Sequence, residues 1–207
     1  MKKTLIGIMA DSHGQADTIR DALAVFASAG CGSIYHLGDV CDTNLPETAN
    51  TCMRLLQDHR VITIKGNNDQ SIVASHMGRE KSPVSQTVLR SLQDLDLVKN
   101  YGNAIFIHSL PFARELGLAS MIGTMGPKEI RRFFKEFSGH ILFRGHGHSP
   151  EIAWLSGGQV KVQSLAAGVQ FNLSERIPCV VTCGALTQGL FMIWNPEDNV
   201  IECLSFR

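Results

Sequence analysis

The chain has 207 residues, 44% of them hydrophobic, and its 19 basic residues balance its 19 acidic ones. That length suits one domain, residues 1–207, with a sizeable core. The charge balance excludes the broad basic footprint of a protein that grips nucleic acid through its phosphates, and no apolar run reaches membrane-spanning length.

The opening "MKKTLIGIMADSH" has two lysines and then an apolar run that Asp11 interrupts early, so it reads as a buried first strand rather than a leader. Next, "ADTIRDALAVFASAG" predicts a helix, with Ile19, Leu23 and Phe26 at helical spacing and a stop at Gly30. "SIYHLG" is a second strand, "LPETANTCMRLLQDH" a helix with Pro46 in its first turn, and "RVITIKG" a third strand. "SPVSQTVLRSLQDL" reads as a helix, "NAIFIHS" as a strand, "GPKEIRRFFKEFSG" as a helix and "HILFRG" as a strand. The last third is mostly β: a hairpin in "EIAWLSGGQVKVQSL" turning at Gly157-Gly158, then "PCVVTCG", "GLFMIWN" and "NVIECLSF". Residues 109–126 form a glycine- and methionine-bearing loop with about one helical turn. It reads equally as a lid or as a structural excursion.

Cys31, Cys41, Cys52, Cys179, Cys183 and Cys203 form no CxxC pair, and a domain of this size needs no disulfide staples. Reduced thiols and a cytoplasmic location are therefore expected.

The strand ends repeat one pattern. They close on "ADSHG", "LGDVCD", "KGNND", "IHS" and "RGHGH", each placing Asp, Asn or His just beyond an apolar run. In α/β sheets the carboxyl edge is where ligands bind. Asp11 and His13 stand two apart, as do His146 and His148, so each pair can project to one side. Each motif alone has a plain structural reading. Asp39 and Asn67 suit turns, His108 suits a strand edge, and the two glycine-flanked histidines suit a polar loop. Together, Asp11, His13, Asp39, Asn67, His108, His146 and His148 offer oxygen and imidazole donors without thiolate. That mixture suits Mn, Fe, Zn or a similar divalent ion.

The ordered series Asp11-x-His13, Gly38-Asp39-x-x-Asp42, Gly66-Asn67-x-Asp69, His108 and Gly145-His146-x-His148 resembles the signature of the calcineurin-like metallophosphoesterase superfamily. It resembles in particular the small prokaryotic phosphodiesterase branch. The resemblance implies a four-layer α/β/β/α sandwich of two mixed sheets flanked by helices. It implies two linked divalent ions, manganese first, with iron, zinc or nickel as alternatives. Asp11, His13, Asp39 and His148 would hold one ion; Asp39 would bridge to a second, completed by Asn67, His108 and His146. The paired ions would activate a shared water against a phosphate ester, making the protein a phosphodiesterase before a phosphomonoesterase or nucleosyl polyphosphate hydrolase. A non-catalytic interaction scaffold on the same fold is the alternative from another class.

Two departures narrow this. Many relatives carry a histidine where this chain has Asn68, which can donate a hydrogen bond but cannot transfer a proton near neutral pH. Asp69 then either orients Asn68 or caps the turn. "GDVCDTN" also lacks the phosphate-gripping arginine of the protein-phosphatase pattern, and Asp42 reads as support rather than as a ligand. Arg144 and Lys65 read as solvated strand-end charges in preference to phosphate binders, and His36 as a hydrogen-bonded core residue. His59, His76 and His140 read as surface residues. Expected partners are a phosphate-ester substrate and, with the oligomeric state left open, further copies of the chain; no membrane is expected.

Overall fold

The computed structural model describes residues 4–112, 114 and 116–206. Ala113 and Glu115, in the loop of uncertain role, and the first three residues of the opening segment lie outside the described residues. β1 (Leu5–Met9), α1 (Ala16–Ala29), β2 (Cys31–His36), α2 (Thr48–Asp58) and β3 (Ile62–Thr63) give the expected opening alternation. Gly30 ends α1 with a left-handed φ of 74°. Pro46 lies in the turn before α2 rather than in its first turn.

The next element corrects the sequence reading: α3 (Asn67–His76) is a helix that periodicity does not reveal, because only Asp69, Ile72 and Val73 of it are buried. α4 (Gln86–Gln93) starts where Ser85 Oγ accepts the Val88 N–H. β4 (Val98–Tyr101) and β5 (Ala104–Ile107) form a hairpin of which only the second strand has a continuous apolar run. α5 (Leu118–Ile122) is the short helix of the loop, followed by α6 (Pro127–Glu136) and β6 (Ile141–Arg144). β7 (Glu151–Ser156) and β8 (Gln159–Ser164) pair across Gly157 and Gly158, whose φ values of 58° and 75° make the predicted turn. β9 (Gln170–Asn172), too short to read in advance, precedes β10 (Cys179–Thr182), β11 (Leu190–Asn195) and β12 (Val200–Ser205).

These strands make two six-stranded sheets, ordered β3-β2-β1-β11-β12-β9 and β4-β5-β6-β10-β7-β8. β1, β2 and β3 run parallel in the first, as do β5, β6 and β10 in the second; antiparallel strands complete both. The sheets are mixed and their inner faces share one core, which holds Ile6, Ile8, Phe106, Phe143 and Trp194. Tyr35 stacks on Phe106 at 4.0 Å between centroids, and Phe143 meets Trp194 at 4.9 Å. The period of two along each strand sends alternate residues outward. Met9 thus packs with Ile19, Leu23 and Phe26 of α1, while Ile107, Leu142 and Val180 pack with Ile130 and Phe133 of α6. Helices therefore cover both outer faces, which gives the four layers the resemblance implied.

Candidate metal centre

Loops leaving the parallel strands of both sheets meet at one edge. Asp11 and His13 follow β1, Asp39 follows β2, Asn67 opens α3 after β3, His108 follows β5, and His146 and His148 follow β6. Five of these residues hold left-handed backbone: Asp11 at φ 54°, His13 at 41°, Asp39 at 55°, His146 at 63° and His148 at 55°. Among described non-glycine residues only Arg60 and Asn199 share that conformation. Each such residue costs about 1–3 kcal/mol, and surrounding structure must over-determine it. Here the loops hold each other, since the N–H groups of Asp11 and His13 donate to the carbonyls of Gly38 and Asp39, both at 3.0 Å. Gly38, at φ 91°, also gives room: a Cβ there would lie 2.7 Å from His108 Nδ1.

The seven predicted residues come together in two groups. In the first, Asp11, His13 and His148 offer ligand atoms within 4.8 Å of one another. His13 Nε2 lies 3.4 Å from His148 Nε2, which lies 3.8 Å from Asp11 Oδ1. In the second group, Asp39, His108 and His146 meet the same spacing. His108 Nε2 is 3.2 Å from His146 Nδ1, 3.1 Å from Asn67 Oδ1 and 3.5 Å from Asp39 Oδ1. Asp39 also turns Oδ2 toward the first group, 3.9 Å from His13 Nε2.

Protonation favours cation binding. His108 Nδ1 lies 2.7 Å from the Leu37 carbonyl, which accepts its proton and leaves a lone pair on Nε2. That lone pair faces a carboxylate, an amide oxygen and a second imidazole, an arrangement of acceptors that a cation satisfies. Burial pushes His108 down to about 4 and lowers His146 and His148 as well, so these rings are neutral near pH 7 and free to offer a lone pair to a cation. Burial, and then Asp39, holds Asp11 well above the usual carboxylate range against the pull of the His146 N–H, which donates to its Oδ2 at 2.9 Å. A nearby dication would reverse that penalty. The donor set therefore fits two divalent ions, with oxygen and nitrogen ligands and no sulfur.

Asn68 and Asp69 both act on Asp39. Asn68 donates from its backbone N–H to Asp39 Oδ1 at 2.8 Å and from Nδ2 to Oδ2 at 2.7 Å. Asp69 is fully buried at the third position of α3. Its Oδ2 accepts the N–H groups of Asp39 and Gly66 at 3.0 and 2.9 Å, and its Oδ1 accepts that of Cys41 at 3.0 Å. Asp69 thus shapes the turn, and in the structure its carboxylate contacts backbone rather than the Asn68 amide. Burial, and then Asp39, raises it to about 6.

Two residues depart from the sequence reading. Arg144 and Lys65 are buried, not solvated. Arg144 donates to Thr182 Oγ1 at 3.2 Å and to Ser109 Oγ at 3.3 Å, tying the strand ends beside His108 and His146; Lys65 Nζ donates to Gln93 O at 2.6 Å. Both hydroxyl partners of Arg144 are distant in sequence, so nothing beside it in the chain signals a buried place. His36 is the core residue expected, its Nε2 3.0 Å from Ser12 Oγ, a contact that no motif announced. Asp42 Oδ1 accepts the Asn44 N–H at 2.8 Å, capping a turn. His59 is exposed, whereas His76 and His140 are half-buried.

Residues 4–162 match the calcineurin-like phosphoesterase superfamily domain, and the chain belongs to that superfamily. The fold is similar to that of a metallophosphoesterase from Sphaerobacter thermophilus, with a TM-score of 0.77 at 19% identity over 100% of this chain and 90% of that one. A hypothetical protein from Pyrococcus horikoshii gives 0.68 at 12% identity, over 97% and 87%. An uncharacterised protein of Methanocaldococcus jannaschii is 25% identical over 166 residues. That match spans 73% of this chain and 65% of the relative's length.

Proposed function

We propose that the protein is a divalent-metal-dependent phosphoesterase that hydrolyses phosphodiesters. The observation that carries this reading is the position of Asp39, which presents one oxygen to His13 and the other to His108, between two ligand groups. Asp11, His13, Asp39 and His148 would hold one ion, and Asp39, Asn67, His108 and His146 the other. Two bound divalent ions supply a water acidified toward neutral pH and Lewis-acid neutralisation of the phosphate oxygens. Manganese is the first choice, because hard carboxylate and amide oxygens accompany the imidazoles.

The chain's own residues do the rest. Leu37 fixes the tautomer of His108, Asp69 holds the turn that carries Asp39, and Arg144 braces the loops behind His108 and His146. Asn68 can donate a hydrogen bond to a substrate oxygen but supplies no proton. The reading therefore favours esters with stable leaving groups. All six cysteines are free, five of them buried, which supports a reducing, cytoplasmic setting. No helix among the described residues is long and apolar enough to cross a membrane.

The test is hydrolysis of an activated aryl phosphodiester by metal-stripped protein to which manganese, iron, zinc or nickel is returned. Turnover should depend on the added ion and vanish with chelator. Stoichiometric metal binding without turnover under any ion would overturn the enzyme reading in favour of a scaffold.

A further inference from the structure

A cleft of 590 Å³ lies between α3, residues 95–97 and α5. Its size falls within the roughly 300–1,000 Å³ of small-ligand sites. Both of its main walls are rooted in the candidate metal centre. Asn67 opens α3, and the cleft residues Gln70, Ser71 and Ala74 stand three, four and seven positions further on, along one helix face. Helical side chains tilt toward the N-terminus, so this stripe leans toward Asn67. Ser71 Oγ donates to the Asn67 carbonyl at 2.8 Å, which places the cleft one helical turn from that residue. The opposite wall, with Leu118 and Met121 of α5, belongs to the loop that leaves His108. Leu110 N–H donates to Ser120 O at 2.9 Å and Ser109 Oγ to Gly123 O, holding that loop against the strand end.

The lining chemistry is aliphatic. Leu95, Leu97, Leu118, Met121 and Ala74 supply it, and Leu118 at 59% exposure stands with Leu116 at 43% and Ile122 at 52% in an exposed aliphatic patch. Lys65 also borders the cleft, but its ammonium is engaged by Gln93 O. No aromatic ring is among the described lining residues, so a nucleobase would find nothing to stack on.

Because both walls run from the elements that carry Asn67 and His108, and resting on the phosphoesterase reading, we infer that the cleft takes an aliphatic chain of the substrate. The substrate class is then a phosphodiester with one alkyl or acyl-bearing substituent, its phosphate at the metal centre and its chain along α3. Leu118 and Ala74 set specificity without touching the reacting atoms.

The experiment compares p-nitrophenyl methyl phosphate with its hexyl counterpart, below the hexyl ester's micelle concentration, on manganese-loaded protein. Each buried methylene strengthens binding about threefold to fourfold, so KM should fall at least about tenfold from methyl to hexyl. Leu118→Asp and Ala74→Glu should each abolish that difference and leave methyl ester turnover unchanged. The two variants sit on separate walls, so a folding defect in one leaves the other to report. Methyl ester turnover with no dependence on chain length would overturn the inference while leaving the phosphoesterase reading intact. A chain-length effect that survives both variants would also overturn it, as would a dimer that Leu118→Asp dissolves, since the cleft face would then belong to a second copy. No turnover of either ester would overturn both readings.

Discussion

Asn68 grips Asp39 at both oxygens, with its backbone N–H on Oδ1 at 2.8 Å and its side-chain amide on Oδ2 at 2.7 Å. The carboxylate that faces both ligand groups is therefore oriented by the residue that, in many relatives, is a histidine able to transfer a proton.

From that contact follows a prediction about leaving groups. With no acid at position 68, a departing oxygen is stabilised only by ions or hydrogen bonds, so aryl phosphodiesters should be cleaved far faster than alkyl ones. Asn68→His should narrow that gap, because a positioned general acid contributes roughly 10²–10⁴-fold. Rates for aryl and alkyl esters on both proteins, at one pH and with one metal, decide it. An unchanged aryl-to-alkyl ratio would show that proton transfer at this position does not limit the reaction.

Asp39→Asn should lower activity by about 10²–10³-fold or more, the scale of removing one preorganised electrostatic element. It should also deplete metal from both groups, whereas His146→Ala should deplete chiefly the second. Metal analysis of the purified variants measures this directly, and retention of both ions by the Asp39 variant would contradict a bridging role.

Asp69→Ala should destabilise the metal-free protein by roughly 3–5 kcal/mol, because three backbone N–H groups lose their buried acceptor. Urea unfolding gives the number. A loss under about 1 kcal/mol would mean that water replaces the carboxylate and that the turn does not depend on it.

His36 makes a pH prediction. Burial, helped by nearby His108, pushes its imidazole down to about 3, while an unfolded histidine titrates near 6.5. Between those values the unfolded chain binds a proton that the folded chain refuses. Its contribution to stability is thus present above about 6.5 and is lost as pH falls toward 3. His36→Gln removes this penalty. In metal-free protein, unfolding free energy should then drop less steeply between pH 7 and pH 4 than in the parent. Equal slopes would show that His36 takes its proton without cost in the folded state.

The candidate ligand residues were legible because each follows an apolar strand, and strand runs such as "TLIGIMA" and "NAIFIHS" announce themselves. β-α alternation and a β-rich tail pointed to one α/β domain, and the four-layer sandwich came from the family resemblance. α3 was not legible: Asn67, Asn68 and Asp69 look like turn residues, and the helix buries too few apolar side chains to show a period. Its start is marked only by Gly66 and by Asp69 accepting the Gly66 N–H, a capping relationship with no hydrophobic stripe behind it. Arg144 was misread for a different reason. Charged residues at strand ends are usually solvated, and only tertiary packing of Ser109 and Thr182 around the guanidinium overrides that rule.

Each ligand group draws on both sheets: Asp11 and His13 from the first meet His148 from the second, and Asp39 from the first meets His108 and His146 from the second. An ion in either group is consequently a further cross-link between two halves already joined by an apolar core and by hydrogen bonds such as those of His108 to Leu37 and His146 to Asp11. Amide hydrogen exchange should register this as cooperativity. In metal-free protein the two sheets should open separately, whereas metal-loaded protein should protect the inner strands of both sheets together. Chelation would then loosen the sandwich from one edge, like a book losing its clasp while its spine holds.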